Sequence, residues 1–187
     1  MRSLVVLSVL VALAPVARAD RPAQVGFGLG ASVETTPVGT RALAAPISIE
    51  LGGEVVAPLW WRVTASFGSA SLADDHGDGY QFALRTGPAV ERCWGGTVCA
   101  GASAALGWGH ARWTMMDAAP SITRDGVDVD ARASLAVAID PGRRVFLAGV
   151  AGPTLHYAVR TDDPGRQVTG DRTDLGLLLG VALVIRN

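Results

Sequence analysis

The segment from Asp174 to Asn187 constrains the fold more than any other part of the chain. Its sequence reads DLGLLLGVALVIRN, and every odd position from Leu175 to Ile185 holds a large aliphatic residue. The even positions are mostly small, with a charge near each end. This period-2 alternation covers about a dozen residues, the length that a tilted strand needs to cross a bilayer. One bulky apolar face and one small face indicate a strand in the wall of a narrow closed barrel.

The first 19 residues have the organisation of a secretory signal peptide. Arg2 supplies the positive start, residues 4–14 are apolar with a single serine, and Ala17 and Ala19 occupy the cleavage positions. The apolar stretch is shorter than the roughly 20 residues of a transmembrane helix. We therefore predict export and a single mature domain over residues 20–187, with an uncleaved anchor as the alternative.

The composition indicates that the apolar residues of the chain lie in strands and not in membrane-spanning helices. The chain is 49% hydrophobic, yet no apolar run after the leader reaches the length of a spanning helix. Its formal net charge is −1 and it contains no lysine. It therefore lacks the basic face that nucleic-acid binding requires.

The alternation recurs along the chain and predicts an all-β protein with eight strands. The connections between the strands are alternately long and short, which is typical of an antiparallel up-and-down barrel with all its long loops on one side. An even strand number puts both termini on the side of the tight turns. The predicted strands cover residues 24–34, 46–56, 59–69, 80–92, 98–110, 126–139, 144–157 and 174–187.

Along each strand, apolar side chains form a row on one face and polar side chains form a row on the other. Two observations favour a membrane barrel, whose apolar row faces outward, over a soluble barrel of lipocalin type, whose polar row faces outward. First, aromatic residues fall near the strand ends, as in the aromatic girdles of membrane barrels. Trp61 and Trp94 mark the tight-turn side, and the other side has Phe67, Tyr80, Phe82, Trp108, Trp113 and Tyr157.

Second, the polar row has charges of both signs. These charges can pair in a lumen, whereas an arginine at mid-depth on the lipid face costs about 2–4 kcal/mol. We predict an inward charge network of Glu50, Glu54, Arg62, Arg85, Glu91, Asp128, Asp130 and Arg132.

The two cysteines, Cys93 and Cys99, flank a turn-like WGGTV segment and lie on the same face of neighbouring predicted strands. Because an exported compartment permits disulfides, we predict that they are bonded to each other. Free thiols and a metal-binding pair are the alternatives.

Two motifs do not support a cofactor or metal site. Residues 74–79 resemble the start of a calcium loop, but Arg85 stands where that loop needs a glutamate. Residues 26–30 read GFGLG, but they continue as a strand and do not turn into a helix as a dinucleotide-binding motif does. We therefore expect no cofactor and no bound metal.

The third long loop, predicted over residues 111–125, is locally apolar. It contains Trp113, Met115 and Met116. These side chains are candidates for dipping into lipid headgroups or for contacting an unknown surface partner.

By this pattern, residues 20–187 resemble the small eight-stranded outer-membrane barrels of OmpA/OmpX type. The resemblance implies the outer membrane of a Gram-negative bacterium, with outer-membrane lipid, lipopolysaccharide and the barrel-assembly machinery as partners. In that family the last strand commonly ends in an aromatic residue, and Asn187 departs from this.

The predicted function is that of a small non-enzymatic barrel serving envelope structure or surface interaction through its long loops. Eight strands enclose a lumen just wide enough for side chains, so the charged row should fill it. One alternative is a narrow pore for ions or small solutes. Another is a lipid-modifying enzyme that uses one of the histidines, which would need a serine and an acid beside it.

Overall fold

A computed structural model describes residues 21–35, 41–72, 77–115, 121–162 and 173–187. The predicted signal peptide, residues 1–19, lies outside this part of the chain. Among the described residues, no helix is long and apolar enough to span a membrane.

Eight antiparallel strands form one closed barrel in which each strand pairs with its neighbours along the chain, and β8 pairs with β1. The predicted up-and-down fold is therefore confirmed. The strands are β1 (Ala23–Thr35), β2 (Arg41–Val56), β3 (Leu59–Leu72), β4 (Gly77–Trp94), β5 (Val98–Met115), β6 (Ser121–Ala138), β7 (Val145–Asp162) and β8 (Thr173–Arg186).

The strand ends at the tight turns agree with the sequence prediction to within two residues, but the opposite ends extend further than predicted. β5 continues five residues past His110 to Met115, and β6 begins at Ser121. The ladder explains this, because Met115 pairs with Gly77 and Thr114 pairs with Ser121. Pairing with two neighbours holds these residues in strand conformation where alternation alone gives no signal.

The wall separates apolar and polar side chains as predicted. Along β8 the outward residues Leu175, Leu177 and Leu179 are more than half exposed, whereas Asp174 and Val184 are buried inside. The same arrangement holds in β7, whose two rows are both apolar: Pro153 and Tyr157 face outward, and Phe146 and Ala158 are buried.

Short connections close the tight-turn end. Asp140 caps the β6–β7 turn, because its Oδ1 accepts hydrogen bonds from the backbone N–H groups of Arg144 (2.8 Å) and Val145 (2.7 Å). The β4–β5 turn needs glycine at Gly95 and Gly96, whose φ angles are +57° and +67°.

Asn187 joins the first and last strands. Its backbone N–H donates to the Ala23 carbonyl (3.2 Å), and its Oδ1 accepts from the Ala23 N–H (2.6 Å). These two bonds extend the β1–β8 ladder by one residue.

Two glycines of β7 provide a matched test of how tightly the wall is built. A Cβ on Gly152 would lie 1.9 Å from the Ala131 carbonyl oxygen, whereas the nearest atom to a Cβ on Gly149 is 4.0 Å away. We predict that Gly152→Ala lowers the free energy of unfolding by about 1–3 kcal/mol because the clash is with backbone. Gly149→Ala should have little effect. Urea titration of both refolded variants measures the difference, and equal stabilities would contradict it.

Candidate functional site

The polar groups of the lumen form ion-paired clusters at successive heights. In the cluster nearest the tight turns, Arg62 lies between Glu50 (3.5 Å) and Glu91 (3.1 Å). Gln24 donates a hydrogen bond to Glu50 (3.0 Å). These four side chains occupy inward-facing positions on β1, β2, β3 and β4, so they come into contact in the lumen.

Arg186 completes this cluster and was missed by the sequence analysis. Its guanidinium pairs with Glu91 (2.6 Å) and lies over the rings of Phe146 (4.4 Å) and Trp60 (5.8 Å). Both rings are buried, so the side chains of β3, β4, β7 and β8 meet across the lumen. Its even position in β8 was a signal for inward orientation, but it was read only as a charge at the end of a strand.

The predicted disulfide is confirmed between Cys93 and Cys99, which are direct cross-strand partners. Both sulfur atoms lie 3.6 Å from Nη1 of Arg186. Glu91 is also close to both sulfurs. Because the sulfurs are bonded to each other, they are not thiolate ligands, and no other trio of potential ligands in the described ranges is close enough to hold a metal ion.

The central cluster is built around Arg85. This side chain pairs with Asp128 (2.9 Å) and Asp130 (3.4 Å), and it donates a hydrogen bond to Ser66 (3.3 Å). Arg132 pairs with Asp130 (2.7 Å). Asp128 and Asp130 lie on the same side of one strand, β6, and would repel each other. Arg85 bridges these two carboxylates.

His156 extends the central cluster toward the long-loop end, because its Nδ1 lies 2.6 Å from Asp128 Oδ1. Above it, Arg124 pairs with Asp174, and both residues are at least 95% buried. Sequence reasoning missed Arg124 because the predicted β6 began two residues later, at Gly126.

Seven of the eight predicted lumen charges therefore form ion pairs inside the barrel. The eighth, Glu54, is a cross-strand partner of the buried Trp60 and so shares its inward face. No ion pair of Glu54 is present among the described residues.

The prediction that Trp113 belongs to an exposed contact loop is wrong. Trp113 lies in β5, is 5% exposed, and packs against Ala44, Ala70 and Ala111 in the lumen, with Ile122 beside them. The alternation of β5 continues past His110 and turns this ring inward. Met115 is the last residue of β5, and Met116 lies outside the described residues.

Comparison with known structures gives matches to small barrels over most of the chain. Neisserial surface protein A has a TM-score of 0.64 and 13% identity, with 87% of this chain and 96% of that chain covered. The attachment invasion locus protein Ail of Yersinia pestis, in complex with the heparin analogue sucrose octasulfate, has a TM-score of 0.53 and 11% identity, covering 88% and 99%. The N-terminal barrel domain of Pseudomonas aeruginosa OprF has a TM-score of 0.52 and 12% identity, covering 87% and 97%.

This chain has the fold of the small eight-stranded outer-membrane barrels. No protein-family model matches it, and no curated protein matches its sequence.

Inside this outer-membrane-type barrel, two cavities lie along the lumen. The larger, about 80 Å³, is lined by the Glu50, Arg62 and Glu91 cluster. The smaller, about 30 Å³, is lined by Asp128, His156 and Asp174, among others. Arg85 lines both cavities, so its ion pairs lie at their boundary. Each cavity has charged and polar groups in its lining and is large enough for a few water molecules.

The Arg124–Asp174 pair of the barrel is suited to a double-mutant cycle because both residues are buried and their side chains pair directly. Arg124→Met alone should lower the free energy of unfolding by about 3–5 kcal/mol, since it leaves the Asp174 carboxylate buried without its cation. Arg124→Met combined with Asp174→Leu should recover most of that loss. Urea unfolding of the four proteins gives the coupling, and additive effects of the two changes would contradict a direct interaction.

Proposed function

We propose that this protein is an integral outer-membrane barrel whose lumen is filled by side chains, and that it acts without enzymatic chemistry. The observation that carries this is the inverted distribution of polarity across the closed wall. Leu29, Ile47 and Leu179 are 55–62% exposed on the outside, whereas the ion pairs lie inside. A water-soluble barrel would have the opposite arrangement.

The aromatic residues on the outer surface support the membrane orientation. Trp94 is exposed at the tight-turn end, and Phe67, Phe82, Trp108 and Tyr157 are exposed toward the other end. Exposed aromatic residues toward both ends of the strands are typical of the interfacial regions of membrane barrels. In this orientation the tight turns face the periplasm and the long connections face the exterior, and the expected export signal in residues 1–19 agrees with it.

The role we propose is envelope structure or surface interaction through the exterior end. Partners expected on this basis are outer-membrane lipid, lipopolysaccharide, the barrel-assembly machinery during insertion, and a surface partner of unknown identity.

Both histidines of the described ranges support a non-enzymatic role. His156 pairs with Asp128 and His110 pairs with Asp125 (2.7 Å). In the described part of the chain, no serine hydroxyl hydrogen-bonds to either imidazole, as nucleophilic catalysis by serine would require. A lipid-modifying barrel enzyme is therefore the weakest of the candidate functions.

A narrow pore is the second candidate, and the 80 Å³ cavity specifically favours it. The cavity occupies part of the lumen, and the glycines of β1 leave that side of it without large side chains. The Arg85 ion pairs lie at the boundary between the two cavities. Whether ions can pass through the lumen therefore depends on whether these ion pairs stay closed.

The membrane placement predicts a depth-dependent cost for charge on the outer face. Leu179 lies in the middle of β8 and Leu175 near its exterior end, and both are exposed to a similar extent. Leu179→Arg should lower the free energy of unfolding in bilayers by about 2–4 kcal/mol, and Leu175→Arg by about 0–1 kcal/mol. Urea unfolding in liposomes measures both free energies, with heat-modifiable gel mobility as the readout of the folded fraction. Equal costs, or a barrel that is soluble without detergent, would refute the proposal.

The filled lumen predicts little or no single-channel conductance for the refolded wild type in planar bilayers. Arg85→Ala removes the bridge between the cavities and should raise conductance if the variant remains folded. Arg92→Ala serves as the control, because Arg92 is exposed on the outer wall. Stable, ion-selective channels from the wild type would favour the pore instead.

A further inference from the structure

We propose that the Cys93–Cys99 disulfide is a site of thiol–disulfide exchange with a dithiol, in which Cys93 is attacked and Arg186 stabilises Cys99 as the leaving thiolate. The site lies at the tight-turn end of the lumen, because Cys93 is the second-last residue of β4 and Cys99 is the second residue of β5. The inference goes beyond the proposed function. It uses the proposed membrane orientation only to place this end of the barrel in the periplasm.

The two sulfurs differ in their access to solvent. Cys93 is exposed, whereas Cys99 is 1% exposed and belongs to a buried cluster inside the lumen with Ala136, Phe146 and Ala148. Exchange needs a sulfur that an incoming thiolate can reach. Of the two sulfurs, that of Cys93 meets this requirement, so the attack takes place there and the electron pair of the broken bond goes to Cys99.

Arg186 is the cation beside the leaving sulfur. Its Nη1 lies 3.6 Å from the sulfur atoms of both Cys93 and Cys99. The guanidinium is held over the ring of Phe146 at 4.4 Å. A cation beside a cysteine favours the thiolate, and a sulfur that is more stable as a thiolate leaves faster. Arg186 is therefore placed to accelerate the breaking of the bond.

Glu91 is the carboxylate beside the disulfide, and its charge opposes a thiolate there. Its Oε1 lies 3.6 Å from the sulfur of Cys93. The carboxylate is engaged by two cations, because Oε1 pairs with Nη2 of Arg186 (2.6 Å) and Oε2 pairs with Arg62 (3.1 Å). The Nη1 group of Arg186 faces the sulfurs, so a thiolate gains a charged hydrogen bond while the ion pair with Glu91 stays in place.

The exchange does not need unfolding, because backbone pairing holds the two strand ends together. Trp94 pairs with Val98 on one side of the cysteines, and Arg92 pairs with Ala100 on the other. In the turn itself the Thr97 N–H donates to the Trp94 carbonyl (3.1 Å). The two thiols of the reduced form therefore stay next to each other, and the bond can form again.

The reaction transfers two electrons. A thiolate of the dithiol attacks the sulfur of Cys93, the bond to Cys99 breaks, and its electron pair leaves on Cys99 as a thiolate. The second thiolate of the dithiol then attacks its partner sulfur in the mixed disulfide and releases Cys93. The dithiol ends as a disulfide, and the two cysteines take up its two protons and end as thiols. The reverse sequence restores the disulfide.

Glutathione is the probe that identifies the attacked sulfur in the refolded full barrel in detergent. After an acid quench, mass spectrometry of the peptides should place glutathione on Cys93. Dithiothreitol then measures the rate of reduction, with alkylation of the released thiols as the readout. Arg186→Gln should be reduced at least about threefold more slowly than the wild type, because Cys99 loses the cation that favours its thiolate.

Arg92→Gln is the matched control. It removes an exposed arginine that is adjacent to Cys93 in the chain but lies on the opposite face of the wall, so it should be reduced like the wild type. Glu91→Gln separates the proposed role of Arg186 from a structural one. Loss of the Arg186–Glu91 pair that merely loosened this end of the barrel would speed reduction in both variants, whereas the proposal predicts slower reduction in Arg186→Gln and faster reduction in Glu91→Gln.

Glutathione on Cys99, faster or unchanged reduction in Arg186→Gln, or equal slowing in Arg92→Gln would overturn the inference. So would reduction that occurs only when heat-modifiable mobility shows unfolding. The position of glutathione tests the wild type alone if Arg186→Gln does not refold. A barrel that inserts into liposomes but does not exchange refutes the exchange site alone, and a barrel that exchanges but is soluble without detergent refutes the membrane placement alone.

Discussion

The pairing of ionised side chains inside a narrow closed wall is the constraint on which the rest of this structure depends. An apolar exterior leaves the lumen as the place for the charges of the strands, and buried charges are tolerated only when they are compensated. Two of the cations bridge strands that are not neighbours: Arg62, on β3, joins acids from β2 and β4, and Arg85 joins β4 to β6. The ion pairs therefore tie strands together that share no backbone hydrogen bonds.

Small residues in the wall make this arrangement possible. A Cβ on Gly109 would lie 2.7 Å from the Asp128 carboxylate, and a Cβ on Gly176 would lie 2.5 Å from Thr154 Oγ1. The glycines thus provide the volume that the polar side chains of neighbouring strands occupy. Eight strands enclose a lumen that is just wide enough for side chains. The charged side chains therefore fit only where the neighbouring wall residues are small.

The strands and the inward row could be read from alternation, because a period of two is a direct consequence of strand geometry. The pairing order followed from the alternately long and short connections. Seven lumen charges were found in this way. Trp113, Arg124 and the end of β5 were not, because their positions depend on ladders that extend past the recognisable pattern. Arg160 could not be assigned either, since a β-bulge reverses its face and the sequence around it, YAVRTDD, contains no glycine or proline to mark the bulge. Local pattern identifies the wall, whereas its irregular upper edge is decided by pairing between strands.

The two ends of the lumen are lined by different side chains. Trp60, Phe146 and Arg186 fill the tight-turn end beside the disulfide. At the other end Trp113 packs with a set of alanines above the Arg124–Asp174 pair. The polar space between these two ends is lined by charged groups that are paired with one another. The charged residues at the upper edge of the wall are arranged differently, because the bulge at Asp125 turns Arg160 toward the exterior.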